Sequence, residues 1–180
     1  MNRVALTIIL LVILLISGTP IKASDADDNI ASMITKLSAF ISFPNGRASE
    51  GDGKLFVISV VGDSPLLAKL KEFHKKQTKD GKSIKIRKVP PDLIPSNSHI
   101  LLILPNDAVQ VKSMVDQVKG TSTITICSAP NLGGQGSVLN IFGDSSGKVV
   151  VEIDAAVAKA ENLTIKPPFL KIAKVLNAED

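Results

Sequence analysis

A single cysteine, Cys127, two histidines, no tryptophan and no tyrosine are distributed over 180 residues. One cysteine excludes an intrachain disulfide, so stability must come from packing. Cys127 closes the alternating segment TSTITIC and reads as a half-buried small apolar residue, with pairing to a second chain as the alternative. His74 and His99 share no metal-ligand or triad spacing with Cys127, so neither a metal centre, a cofactor site nor an enzyme is expected. Only six Phe supply aromatic rings, and that scarcity counts against stacking platforms for sugars or nucleic acid.

What is present begins with a leader. Met-Asn-Arg followed by the apolar run Val4–Ile16 has the layout of a secretory signal and is too short for a membrane span. Cleavage is expected between about residues 23 and 26: Ser24-x-Ala26 is one small-residue site, Ala23 and Ser24 are others, and an uncleaved anchor is the alternative. Residues 27–180 then form one domain, large enough for its own core.

The elements follow from periodicity. Ile30, Met33, Ile34, Leu37, Phe40 and Ile41 make an amphipathic stripe that predicts a first helix, ended by Pro44-Asn45-Gly46. Leu55–Val61 is a continuous apolar run, read as a buried strand. Ser64-Pro65 opens a helix with Leu66, Leu67, Leu70 and Phe73 inside. Ile84–Arg87 alternates as an edge strand, and His99–Leu104 is apolar enough for an interior one. Asn106 or Asp107 caps a helix bearing Val111, Met114, Val115 and Val118, and Thr121–Cys127 follows as a strand. Ser137–Phe142 and Val149–Ile153 flank the turn Gly143–Gly147 and predict an antiparallel hairpin. Phe169, Ile172, Ala173 and Leu176 at i, i+3, i+4 and i+7 predict a closing helix. The fold expected is an α/β single-domain sandwich: a central mixed sheet with helices on both faces and the N-terminal helix docked on it.

Gly133-Gly134-Gln135-Gly136 before SVLNIF, the strand VVVEID, the alanine-rich segment and FLKIAKV resemble the C-terminal half of the YfiR family of bacterial periplasmic proteins. Phe40-Ile41-Ser42-Phe43-Pro44 is similar to the segment that ends the family's first helix. Ser98-His99-Ile100-Leu101-Leu102-Ile103 and Ile124-Thr125-Ile126-Cys127-Ser128 look like its two middle strands. The resemblance makes Phe40, Phe43, Pro44, His99, Gly133, Gly134, Ile153, Leu170 and Ala173 motif residues of structural character. It implies a periplasmic regulator that binds an inner-membrane receptor, a diguanylate cyclase or sensor kinase, through its periplasmic domain and lowers cyclic di-GMP signalling and biofilm formation. A homodimer is open. The single cysteine departs from family members with cysteine pairs, so their redox control does not carry over.

Three places are candidates for chemistry or contact. Residues 69–88 hold nine basic side chains against Glu72 and Asp80, so Lys75, Lys76 and Lys79 form a candidate partner patch beside the plain reading of a solvated face. Gly133, Gly134 and Gln135 form a second candidate, although glycines before a strand are more naturally packing glycines. Gly62-Asp63-Ser64-Pro65 reads as a capped turn. A different class of function, a periplasmic small-ligand-binding protein, would use the carboxyl ends of the parallel strands.

Overall fold

A computed structural model describes residues 23–44, 55–75, 83–105 and 107–178. Residues 1–22, most of the expected leader, and the loop after Pro44 lie outside them. Helix α1 spans Ala23–Lys36 and ends in a 3-10 turn, Leu37–Ala39. Next come β1 (Ile41–Ser42), β2 (Leu55–Val61), α2 (Pro65–Lys75), β3 (Ser83–Lys88), β4 (Ile100–Ile103), α3 (Ala108–Asp116) and β5 (Ile124–Cys127). The chain closes with β6 (Leu139–Gly143), β7 (Val149–Asp154), α4 (Ala155–Ala160), β8 (Thr164–Ile165), α5 (Pro167–Leu170) and β9 (Lys174–Leu176).

Seven strands form one sheet in the order β3-β2-β4-β5-β6-β7-β9. Pairing is parallel except between β6 and β7, the hairpin, where Leu139 faces Ile153 and Gly143 faces Val149. The expected mixed sheet is therefore present. Both faces of β4 are buried, with Ile100 and Leu102 in one core layer and Leu101 and Ile103 in the other. The first layer takes Ile30, Ile34 and Leu37 from the N-terminal helix and Leu66, Leu67 and Leu70 from α2. The second takes Val111, Met114, Val115 and Val118, the face expected of α3. Opposite faces are required because β2→β3 and β4→β5 step outward in opposite directions, and right-handed crossovers then put their helices on opposite sides.

Local chemistry sets the helix starts. Ser64 Oγ accepts the Leu66 N–H at 3.1 Å, with Pro65 at the first helical position. Asp107 supplies the cap of α3, accepting from Gln110 at 2.8 Å. Asp154 does the same for α4 through the Val157 N–H at 3.0 Å. Glu161, at the end of α4, accepts from the backbone N–H groups of Gly120 at 2.7 Å and Ser122 at 2.9 Å, so its buried carboxylate clasps the turn before β5. Asp144 organises the hairpin turn, accepting from Ser146 Oγ, the Ser146 N–H and the Lys148 N–H.

Those donors hold the Asp144 carboxyl below the ordinary 3.8, the Ser146 hydroxyl first among them. Its support for the turn is thus complete above the unfolded-state value and is lost as pH falls through the lower folded value. NMR titration will show the Asp144 carboxyl, the Ser146 amide and the Lys148 amide moving together with a midpoint below 3.8. A midpoint above that value would remove the turn from this role.

Three expectations are corrected. The first helix stops short of Phe40 and Ile41, because Ile41 pairs with Ile165 in a two-stranded sheet, β1 with β8, and Phe40 turns onto Phe169. The closing helix is a single turn, α5, followed by a strand. Glu152, Ile153 and Asp154 of β7 take Lys174, Val175 and Leu176 as partners, and pairing with an existing sheet outweighs a short helix that is marginal alone. Cys127 is fully buried rather than half-buried, and burial pushes its thiol up to about 11. In native protein at pH 8 a maleimide probe will leave Cys127 unlabelled until denaturant exposes one thiol per chain. Rapid native labelling or a disulfide-linked dimer would contradict this burial.

Candidate interaction surfaces

The register across β6, β7 and β9 brings Asn140, Glu152 and Lys174 side by side on one face. Asn140 Nδ2 donates to Glu152 Oε2 at 3.0 Å, and Lys174 Nζ donates to Glu152 Oε1 at 3.1 Å. Asn177 donates to Asp154 Oδ2 at 2.7 Å. The glycine loop lies over this layer. A Cβ on Gly133 would stand 2.2 Å from Glu152 Oε2 and 3.0 Å from Leu176 Cδ1, and Gly134 has φ +76°. The loop is therefore a packed one at Gly133, whereas Gly134 and Gln135 are exposed. Its glycines admit a carboxylate from the neighbouring strand, a reason invisible without the pairing.

The basic stretch is partly consumed within the fold. Lys69 pairs with Asp28 at 2.9 Å, joining α2 to α1, and Lys88 pairs with Asp63. Arg87 reaches inward from the edge strand: Nε donates to Ser59 Oγ at 2.9 Å, and Nη2 donates to Asn97 Oδ1 and to Ser98 Oγ at 3.3 Å. Ser59 and Ser98 are fully buried and bonded to one another at 2.7 Å, so Arg87 ties the loop before β4 onto the sheet. Lys71 and Lys85 remain exposed. The Lys75 side chain, Lys76 and Lys79 lie outside the described residues.

The motif residues of the first segment pack within the fold. Phe40 stacks on Phe169 with centroids 5.6 Å apart and planes at 20°. Phe43 meets His99 edge-on at 5.6 Å, and Phe56 lies 4.7 Å from His99. His99 Nδ1 accepts the Val57 N–H at 3.1 Å, which leaves the ring proton of the neutral imidazole on Nε2. Ile153 is fully buried and Ala173 packs on the core. Pro44 ends the described segment beside Phe43.

At the switch point between β2 and β4, where an open α/β sheet would hold a ligand, the Gly62 backbone comes close to Leu104 and Pro105. A Cβ on Gly62 would be 3.0 Å from Pro105 Cδ and 3.1 Å from the Leu104 Cβ, and Leu104 donates to the Val61 carbonyl at 3.0 Å.

Another surface was hidden by the helical reading of the chain end. Leu170 is 37% exposed, Ile172 62% and Val175 39%, three large apolar side chains within six residues at the β9 border of the sheet. Beside them is an open groove of about 450 Å³ lined by Ile153, Ala158, Leu163, Ile165 and Leu170. The sequence carried no period-2 signal here: Lys171 and Lys174 are three positions apart, a helical spacing, and only the pairing with β7 shows the strand.

The sequence profile of the YfiR/HmsC-like family matches residues 28–174. No curated protein matches the chain. Among solved structures, the fold is similar to the ABC domain in complex with L-Trp from Streptococcus pneumoniae, at 15% identity and TM-score 0.56, covering 81% of this chain and 60% of that one. It is also similar to a conserved domain protein from Vibrio cholerae, at 14% identity and TM-score 0.59, covering 83% of this chain and 59% of that one. The chain thus spans about three-fifths of those proteins, and the likeness establishes fold alone. Because the profile runs from α1 into β9, the chain belongs to the YfiR/HmsC-like family.

Proposed function

We propose that this protein is an exported regulator that binds the periplasmic domain of a membrane diguanylate cyclase and holds the cyclase inactive, lowering cyclic di-GMP and biofilm formation. The observation that carries this reading is the family profile, which covers nearly the whole described domain. A regulator of this kind acts by differential affinity: it must prefer the inactive receptor conformation, and each tenfold of preference contributes about 1.4 kcal/mol to the shift.

Export by the leader, cleaved between residues 23 and 26, belongs to the same reading. Ala26 is buried, and a Cβ added at Gly143 would lie 3.1 Å from its own Cβ, so cleavage before Ala26 keeps this contact. A small-ligand site at the strand ends has less support, because its one observation here is the close approach of Gly62 to Leu104 and Pro105. Deleting the gene, with cyclic di-GMP measured alongside a pull-down from membranes, tests the proposal. Raised nucleotide together with recovery of a diguanylate cyclase is expected, whereas an unchanged pool and no membrane partner would overturn it.

A further inference from the structure

The start of α1 is built into the fold. Ala26 is 9% exposed, and a Cβ added at Gly143 would lie 3.1 Å from the Ala26 Cβ. Gly143 is not among the glycines with a positive φ, so its backbone does not call for glycine. What glycine supplies there is room for the Ala26 methyl. Two residues further on, Asp28 pairs with Lys69 at 2.9 Å and ties the same turn to α2. These residues stand where the leader ends, and the bonds after Ala23, Ser24 and Ala26 each follow a small residue.

We propose that signal peptidase hydrolyses the Ala23–Ser24 bond, so that residues 24–180 are the mature protein and Ser24–Ala26 stay as the first turn of α1. Water adds across the bond: Ala23 leaves with the leader as a carboxylate, and Ser24 gains the α-amino group. This rests on the export reading above and narrows it to one bond. The peptidase reads the residue before the bond, which must be small, and the residue two places earlier, which must not be charged. A cut after Ser24 would put Lys22 at the second position and is set aside. Ser24-x-Ala26 and Ile21-x-Ala23 both satisfy the rule, the first more closely, so the motif alone leaves two bonds. Packing separates them. Cleavage after Ala26 discards the methyl for which Gly143 makes room, and it leaves Asp28 as the second residue of the chain, at an end prone to fray. Cleavage after Ala23 keeps the Ala26 contact and places three residues ahead of the Asp27-Asp28 pair, so the Asp28–Lys69 tie lies inside the helix.

The test is the N-terminus of the full chain after expression in its source bacterium, read by N-terminal sequencing and intact mass on the periplasmic fraction. A chain beginning Ser24-Asp25-Ala26 is expected. A start at Asp27, or at any other processed position, overturns the assigned bond and leaves export standing. A chain still beginning at Met1 and recovered only from membranes overturns both the bond and the cleaved leader. Ala23→Leu sets a large side chain before the bond without altering the mature protein, so folding does not confuse the result. Loss of the Ser24 terminus is expected, with precursor accumulating or the cut moving to Ala26, whereas a variant processed as wild type overturns the assignment. Gly143→Ala reads the contact in the processed protein: its urea midpoint should fall, because a neighbour at 3.1 Å has to give way. An unchanged midpoint means that the mature chain lacks the Ala26 packing and counts against the assigned bond.

Discussion

Gly133→Ala will destabilise the domain by about 2–3 kcal/mol, the upper part of the range for forcing atoms into a packed site. The added methyl would stand 2.2 Å from Glu152 Oε2, closer than any Cβ contact permits, with Leu176 Cδ1 at 3.0 Å on its other side. Glu152 has no easy retreat. Glu152 is held by Asn140 and Lys174, and moving it would strand the Asn140 amide, which is buried at 1% exposure. Urea unfolding measures the effect, with Gln135→Ala as the control: that side chain is exposed on the same loop and should change stability by less than about 0.5 kcal/mol. Equal stability of Gly133→Ala and wild type would show that the loop is free to move off the sheet. The pair also separates packing from contact, because loss of receptor binding in Gln135→Ala at full stability would make the loop's outer side a partner surface.

The readable parts of this chain were those whose physics is local. GDSSG between two β-rich runs gave the hairpin, HILLIL gave an interior strand, and the spacing of Val111, Met114, Val115 and Val118 gave the buried face of α3. The unread parts depend on residues far apart. Arg87 looked like one charge in a basic run, but its partners Ser59 and Ser98 are buried side chains 28 and 11 positions away. Likewise Lys69 finds Asp28 across 41 positions, so the patch inferred from local charge is weaker than its count suggested. Lys75, Lys76 and Lys79 stay candidates on sequence grounds. The chain end differs for another reason: its Lys and apolar residues repeat with a helical spacing, and only the open border of β7 decides for a strand.

Phe169→Ala will cost about 3–5 kcal/mol, the largest single effect expected in the molecule and the usual range for deleting a buried aromatic ring. Phe169 is 1% exposed, stacks on Phe40, and belongs to a one-turn helix with little stability of its own. That ring fastens the chain between β8 and β9, where Lys166 also donates from its N–H to the Phe40 carbonyl and from Nζ to the Ala39 carbonyl, both at 2.8 Å. Chemical denaturation gives the total, and a double-mutant cycle with Phe40→Leu should return about 0.5–1.5 kcal/mol of coupling for the ring pair. Coupling near zero would mean that the stack adds nothing beyond burial. Phe169→Leu, which keeps most of the volume, should recover more than half of the loss. The exposed neighbours give the contrast: Ile172→Lys/Val175→Lys should change stability little, whereas Phe169→Ala should loosen the segment that leads into β9.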